Sequence, residues 1–122
     1  MKKKRNKFPK NKISEAFLQY SMPLIDSLGE SPTQNQIEKI LQLTYSVWNS
    51  TVLDEVRNNS SNIDMLKKLL NNDFEGLAIL EELISRKRTL FSNDLRLIGE
   101  YSLRKEDEEW RIRVEARDPF TI

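Results

Sequence analysis

The groups in this sequence best placed for acid-base chemistry are three sets of carboxylates: Asp54-Glu55, Glu81-Glu82 and the run Glu106 to Glu109. Paired carboxylates can hold magnesium or divide the roles of acid and base. Neighbouring residues on a helix, however, point about 100° apart, so the first two pairs diverge instead of converging on one ion or one proton. The rest of the catalytic repertoire is narrow. The 122 residues include no histidine and no cysteine, which excludes imidazole triads, thiolate nucleophiles, disulfides and the usual zinc or copper ligand sets. The only glycines, Gly29, Gly76 and Gly99, form no phosphate-cradling loop. This chemistry points to a protein that is not an enzyme and needs no cofactor or metal.

Cations offer a second kind of chemistry, recognition of phosphate. The net charge is only +1, but it is unevenly spread: residues 1–12 hold seven Lys/Arg and no acid, whereas residues 13–84 hold eleven acids against four bases. The first twelve residues, "MKKKRNKFPKNK", lack hydrophobic periodicity and read as a disordered basic tail preceding one domain over residues 13–122. Lys2, Lys3, Lys4, Arg5, Lys7, Lys10 and Lys12 are therefore candidate nucleic-acid contacts, with an acidic partner or the acidic body of the same chain as competitors. A second cationic cluster, Arg86, Lys87 and Arg88, is either a phosphate site or the favourable charge that a helix C-terminus attracts. A third is the alternation of arginines between Leu95 and Arg117. No apolar run approaches the roughly 20 residues of a membrane span, and the basic start is not followed by the apolar stretch of a signal peptide, so the expected location is the cytoplasm.

These groups must be positioned by helices over most of the chain. Ser14 reads as the cap of a first helix with Phe17, Leu18, Ser21, Leu24, Ile25 and Leu28 on one face, kinked or broken near Gln19 to Met22 by Pro23. Thr33 and Gln36 have capping-box spacing ahead of a long helix whose stripe runs through Ile37, Ile40, Leu41, Thr44, Val47, Trp48 and Val52. Leu43, Tyr45 and Leu53 lie off that stripe, which makes this helix central. Ser61 starts a short helix carrying Ile63, Leu66, Leu69 and Leu70. Asp73 offers the cap for a fourth, from Phe74 to about Phe91, in which Lys87 contributes its aliphatic stem to the apolar side.

After Phe91 the period changes from 3.6 to 2. Leu97, Gly99, Tyr101 and Leu103 alternate with polar residues, as do Trp110, Ile112, Val114 and Ala116, which predicts an antiparallel hairpin with one apolar face. Avoiding like charges across the strands favours Leu103 opposite Trp110 and Tyr101 opposite Ile112, with Glu106-Asp107 as the turn. In that register Arg104 meets Glu109 and Arg113 meets Glu100, leaving Arg96, Arg111 and Arg117 as free guanidinium groups for a nucleic-acid backbone. The interspersed acids and the lack of aromatics on the arginine face favour the plainer reading, the wet side of a small sheet. A two-stranded ribbon is marginal alone and has open edges. The helices must support it, or a second copy must pair with it, most readily along Trp110 to Ala116.

"YSVWNSTVLDE" (residues 45–55), "LISRKRTLFSNDLRLIGEYSL" (83–103) and "VEARDP" (114–119) resemble a small bacterial protein family of unknown function. The resemblance covers nearly everything after the tail and implies no activity. It draws attention to Trp48-Asn49 and to the helix-to-strand junction formed by Arg86, Lys87, Arg88, Phe91, Asp94 and Arg96. A structural role there would place Trp48 in the core, bond Asn49 to a loop backbone and pair Asp94 with Arg96 or Arg88. The fold expected is α+β, a bundle of three or four helices followed by a C-terminal β-hairpin. The function expected is a non-enzymatic interaction module whose partner is another protein or a second copy of the chain. Nucleic-acid binding through the tail, aided by the hairpin arginines, is the alternative.

Overall fold

A computed structural model describes residues 12–121. Four helices, α1 (Ile13–Asp26), α2 (Gln34–Arg57), α3 (Ser61–Leu69) and α4 (Phe74–Leu90), precede strands β1 (Leu97–Glu106) and β2 (Glu109–Arg117), and a 3-10 turn over Pro119–Thr121 follows. The class is α+β, as the change of period predicts. Among the candidate tail contacts, Lys12 is described and directly precedes α1, while Lys2, Lys3, Lys4, Arg5, Lys7 and Lys10 lie outside the described residues.

Helix boundaries follow local capping chemistry. The backbone N–H of Thr33 donates to Gln36 Oε1 at 2.9 Å and Gln36 N donates to Thr33 Oγ1 at 3.2 Å, the reciprocal capping box that opens α2. Asp73 accepts from Gly76 N at 2.9 Å and starts α4. Two expected caps move by one or two residues. Helix α1 begins after Lys12, whose N–H donates to Glu15 Oε1 at 3.3 Å, and not after Ser14; α3 begins after Ser60, which bonds Asp64 Oδ2 at 2.9 Å.

Helix α2 is the hub. Its Ile37, Leu41, Thr44, Val47, Trp48, Thr51, Val52 and Asp54 are all buried, and every other major element except β2 packs directly on it. The face of α1 is turned from the expected one: Ile13, Ala16, Phe17, Tyr20 and Ser21 are buried while Leu18 remains 38 % exposed. Tyr20 explains the turn, because its hydroxyl reaches the carbonyl of Leu83 on α4 at 2.8 Å and draws that side of α1 inward.

Pro23 does not break α1, which runs on to Asp26. A proline here cannot donate to the carbonyl four residues earlier, that of Gln19. Arg86 of α4 supplies the missing donor: its Nη2 lies 3.2 Å from Gln19 O and 3.5 Å from Tyr20 O.

The hairpin departs from the expected register. Leu103 faces Ile112 and Tyr101 faces Val114, so Arg104 stands opposite Arg111 and Glu100 opposite Glu115. Asp107 and Glu108 form the turn with φ of 50° and 67°, the double positive φ of a type I′ connection, whose twist matches the strands. The carboxylate of Glu106 offsets the facing arginines, at 2.8 Å from Arg104 Nη2 and 3.8 Å from Arg111 Nε. A bulge between Ile98 and Glu100 then shifts the pairing by one residue, turning Ile98 into the core at 1 % exposure beside Leu97 at 6 %. A Cβ at Gly99 would sit 2.9 Å from Arg117 Nε and 3.0 Å from its Cγ, so a larger residue there would displace that flexible side chain from across the bulge. Tyr101, Leu103, Trp110, Ile112 and Val114 pack against the helical core as expected, whereas Ala116 is exposed.

Replacing Arg86 by Met should cost about 1–2 kcal/mol in urea unfolding by removing a charged donor from α1. In a Pro23→Ala background, where residue 23 regains its own N–H, the cost should fall by at least half; equal costs would mean that Arg86 does not serve the proline gap. At the hairpin turn, the double substitution Asp107→Asn with Glu108→Gly should stabilise the protein by about 1 kcal/mol in the same measurement, since asparagine and glycine accept positive φ more readily.

Candidate functional site

The helix-to-strand junction assembles most of the candidate cluster. Lys87 is 2 % exposed although it ends in an ammonium group. Its Nζ donates to the carbonyls of Phe91 at 2.7 Å and Asp94 at 2.8 Å, and it lies 4.5 Å from the centroid of the Trp48 ring. Asp94, 1 % exposed, accepts from Arg96 Nε at 2.8 Å and Nη2 at 2.6 Å, a two-pronged pair that holds both side chains in plane. Trp48 Nε1 donates to the carbonyl of Arg96 at 2.8 Å. Asn49 bonds Ile98 twice, its Nδ2 donating to Ile98 O at 2.9 Å and its Oδ1 accepting from Ile98 N at 2.8 Å. A helix side chain thereby reproduces the pairing of a neighbouring strand at the base of β1.

Aromatic packing encloses this polar ring. Tyr20 meets Trp48 edge-on at 5.3 Å between centroids and Phe91 at 5.8 Å, and Trp48 meets Phe91 at 5.5 Å. Burial pushes the Tyr20 hydroxyl far above its ordinary range, against a smaller downward pull from Arg86. Burial likewise lowers Lys87 to about 8, with the carboxylates of Asp94 and Glu55 acting the other way.

Arg86 and Arg88 do not join the cluster. Arg86 turns to α1, as described, with its Nε buried and no hydrogen-bond partner found for it; Arg88 is exposed. The three consecutive cations therefore have three fates, and only Lys87 neutralises the end of α4 by bonding a terminal carbonyl.

Two of the three arginines expected to be free are engaged. Arg96 holds Asp94, and Arg111 lies near Glu106 and 3.4 Å from Glu109 Oε2. The physical reason is the register, which brings Arg111 beside the acids of the turn. Arg117 lies across Gly99. The ribbon thus presents alternating charges largely satisfied within itself.

The carboxylate pairs diverge as helix geometry requires. Asp54 is 2 % exposed and caps α3 from a distance, accepting from Asn62 N at 3.0 Å, Asn62 Nδ2 at 2.9 Å and Ile63 N at 2.9 Å. Nothing local in the sequence marks that role, because its partners lie eight and nine positions on. Glu55 is exposed, and Glu81 pairs with Lys67 at 3.1 Å on the surface. Among the described residues, no group of three or more acids is placed to hold a metal ion, and no helix is long and apolar enough to cross a membrane.

A different feature is open to a ligand. Leu18, Met22 and Ile25 of α1, Ile37 and Leu41 of α2, and Leu103, Trp110 and Ile112 of the hairpin line a groove of about 220 Å³. It forms where the hairpin tip leans over the helices, and it contains Leu18, the α1 residue that faces both groove and solvent. Its residues come from three elements and follow no single spacing, so no sequence pattern announced it. Comparison with protein-family models, with curated proteins and with solved structures returned no match.

The depressed Lys87 supplies a test of the junction. Below pH 8 this lysine is charged in both the folded and unfolded states, and the penalty for burying the charge is fully present. Between about 8 and 10 the unfolded chain keeps a proton that the folded one lacks, so stability should rise with pH. Above about 10 the unfolded chain also loses a proton at Tyr20 that the folded state retains, which opposes the rise. Denaturation midpoints from about pH 7 to 10 should therefore increase for the native protein and stay flatter for Lys87→Met.

Proposed function

We propose that this protein is a non-enzymatic interaction module that receives an apolar segment of another protein in the groove between α1, α2 and the hairpin tip. The observation that carries this reading is the groove itself: eight apolar residues from three elements around about 220 Å³. Ligand pockets for small molecules generally run from roughly 300 to 1,000 Å³ and include placed polar groups. A smaller and wholly apolar recess suits one or two anchoring side chains of a partner. Support also comes from the junction, where Lys87, Asp94, Arg96 and Asn49 bond the protein's own backbone and one another, which favours structure over catalysis for these polar groups.

The sheet gives a second copy of the chain a place to bind as well. It has two strands among the described residues, and β1 is met at Ile98 by Asn49, which leaves β2 as the edge favoured for pairing. Tail-led nucleic-acid binding draws no support from the hairpin, since Arg104 and Arg111 share the carboxylate of Glu106.

Affinity capture from native lysate, with and without nuclease, tests the reading. The native protein should retain a nuclease-resistant protein partner. Leu18→Glu, which puts a charge into the groove from a 38 % exposed position, should reduce its recovery at least tenfold while leaving the thermal midpoint within a few degrees. Capture of nucleic acid alone at physiological salt, or recovery unaffected by Leu18→Glu, would count against it.

A further inference from the structure

We infer that a second copy of this chain pairs along β2 in one register, antiparallel about a two-fold axis at Arg113, so that Arg111 of each copy faces Glu115 of the other; this rests on the reading of β2 as the edge open to a second copy. The hairpin carries two like-charged pairs on its exposed face, Arg104 opposite Arg111 and Glu100 opposite Glu115. Glu106 relieves the arginines. Among the described residues Glu115 joins no cation, so the acidic pair is left without an answer inside one chain.

Backbone parity limits how two copies can meet. A two-residue turn closes on a hydrogen-bonded pair, here Glu106 with Glu109, and bonded and unbonded pairs alternate away from it. Glu109, Arg111, Arg113 and Glu115 therefore direct their N–H and C=O groups to β1, while Trp110, Ile112, Val114 and Ala116 turn theirs outward. The base of the sheet agrees: Ile98, opposite Ala116, also has outward groups, both taken by Asn49. Two β2 strands must set outward residues against outward residues, which puts a two-fold axis on a residue and never between two.

Charge selects that residue. With the axis at Arg113, Arg111 meets Glu115 and Glu109 meets Arg117, each twice by symmetry, and the apolar rungs are Trp110 with Ala116 and Ile112 with Val114. Only Arg113 meets its own kind. An axis at Ile112 sets Arg111 against Arg113 and Glu109 against Glu115, an axis at Val114 sets Arg111 against Arg117, and an axis at Arg111 leaves the far half of the strand unpaired. The opposed charges matter here because they fall on the closer, non-hydrogen-bonded pairs.

The like pairs of the hairpin are answered in this register. Across four strands the exposed face reads Arg104, Arg111, then Glu115 and Glu100 of the second copy, two cations meeting two anions. Arg111 has room for the contact: its side chain is 62 % exposed, and its own carboxylates stand no nearer than 3.4 Å and 3.8 Å. On the other face Ala116, exposed in the single chain, is covered by Trp110 of the second copy. The outward groups of the two strands close about eight new ladder bonds.

Sedimentation velocity on the full chain tests the register with two single variants, Arg111→Glu and Glu115→Arg, and with their mixture. The native protein should be a dimer that weakens as salt is added. Each variant alone opposes like charges twice across the axis and should dimerise about tenfold more weakly or worse; mixed in equal amounts the two are complementary and should form a heterodimer within about threefold of the native affinity. Thermal melts by circular dichroism check that both variants fold, and Glu115→Arg should be the more stable of the two because it also removes the like pair with Glu100. A native protein that stays monomeric at its highest soluble concentration overturns the proposal, and so does a mixture no more associated than its components. Val114→Pro separates the register from its premise, since proline removes an outward N–H without touching the β1 ladder. If the mixture fails and Val114→Pro abolishes the native dimer, the register falls and β2 remains the edge; if the dimer survives Val114→Pro, the reading of β2 as the edge falls too.

Discussion

The ammonium group of Lys87 is the point on which the junction turns, because a buried charge must be answered on every side by the protein that buries it. The answers form a closed circuit. Lys87 bonds the carbonyl of Asp94; the carboxylate of Asp94 holds the guanidinium of Arg96; the carbonyl of Arg96 takes the indole N–H of Trp48; and the Trp48 ring lies under Lys87. Each member satisfies the next, so deleting any one leaves a buried group without its partner, a loss larger than the mean worth of a hydrogen bond. Through that circuit the end of α4, the connecting loop, the start of β1 and the middle of α2 take up a single arrangement. The hairpin inherits its position from there.

Much of the helical half was legible because its signals are local. Thr33 with Gln36, and Asp73 ahead of Phe74, mark helix starts through bonds made within three residues. The stripe through Ile37, Leu41, Thr44 and Trp48 names the core side of α2 by spacing alone. Where a distant atom intervened, local reasoning fell short. Pro23 predicts a kink or a break, and α1 runs on unbroken with a guanidinium from α4 beside the orphaned carbonyl; Tyr20 stands off the expected stripe, and its hydroxyl bonds α4.

The hairpin shows which of two small effects prevails. Directly opposed charges disfavour a register by up to about 1 kcal/mol per pair, and that rule selects a register the protein does not use. The two-residue turn at Asp107-Glu108 sets the pairing instead, and the facing arginines are relieved by a carboxylate two residues from one of them along the same strand. Diagonal and along-strand neighbours are farther apart than opposed ones but still within reach of long side chains, so opposed pairs alone do not decide the register. Of the junction residues, Trp48, Asn49, Lys87 and Asp94 do come together, while Arg86 and Arg88 point elsewhere. The triplet of cations could not reveal which would be buried, since that depends on the packing of α1 and α2 against α4.

The paired hydrogen bonds between Asn49 and Ile98 govern how the sheet ends. A primary amide has one donor side and one acceptor side, the same pair of functions that an adjoining strand presents, and here it occupies the outward backbone groups of Ile98. The base of β1 is therefore terminated by a side chain and offers no free rung for an added strand there. The β2 side has no such plug among the described residues. A strand added beside β2 would leave the base of β1 capped, and two sheets joined along β2 would carry such a cap at both bases. At Ile98 the cap therefore denies a further strand its first rung, a limit that a ribbon uncapped at both bases would lack.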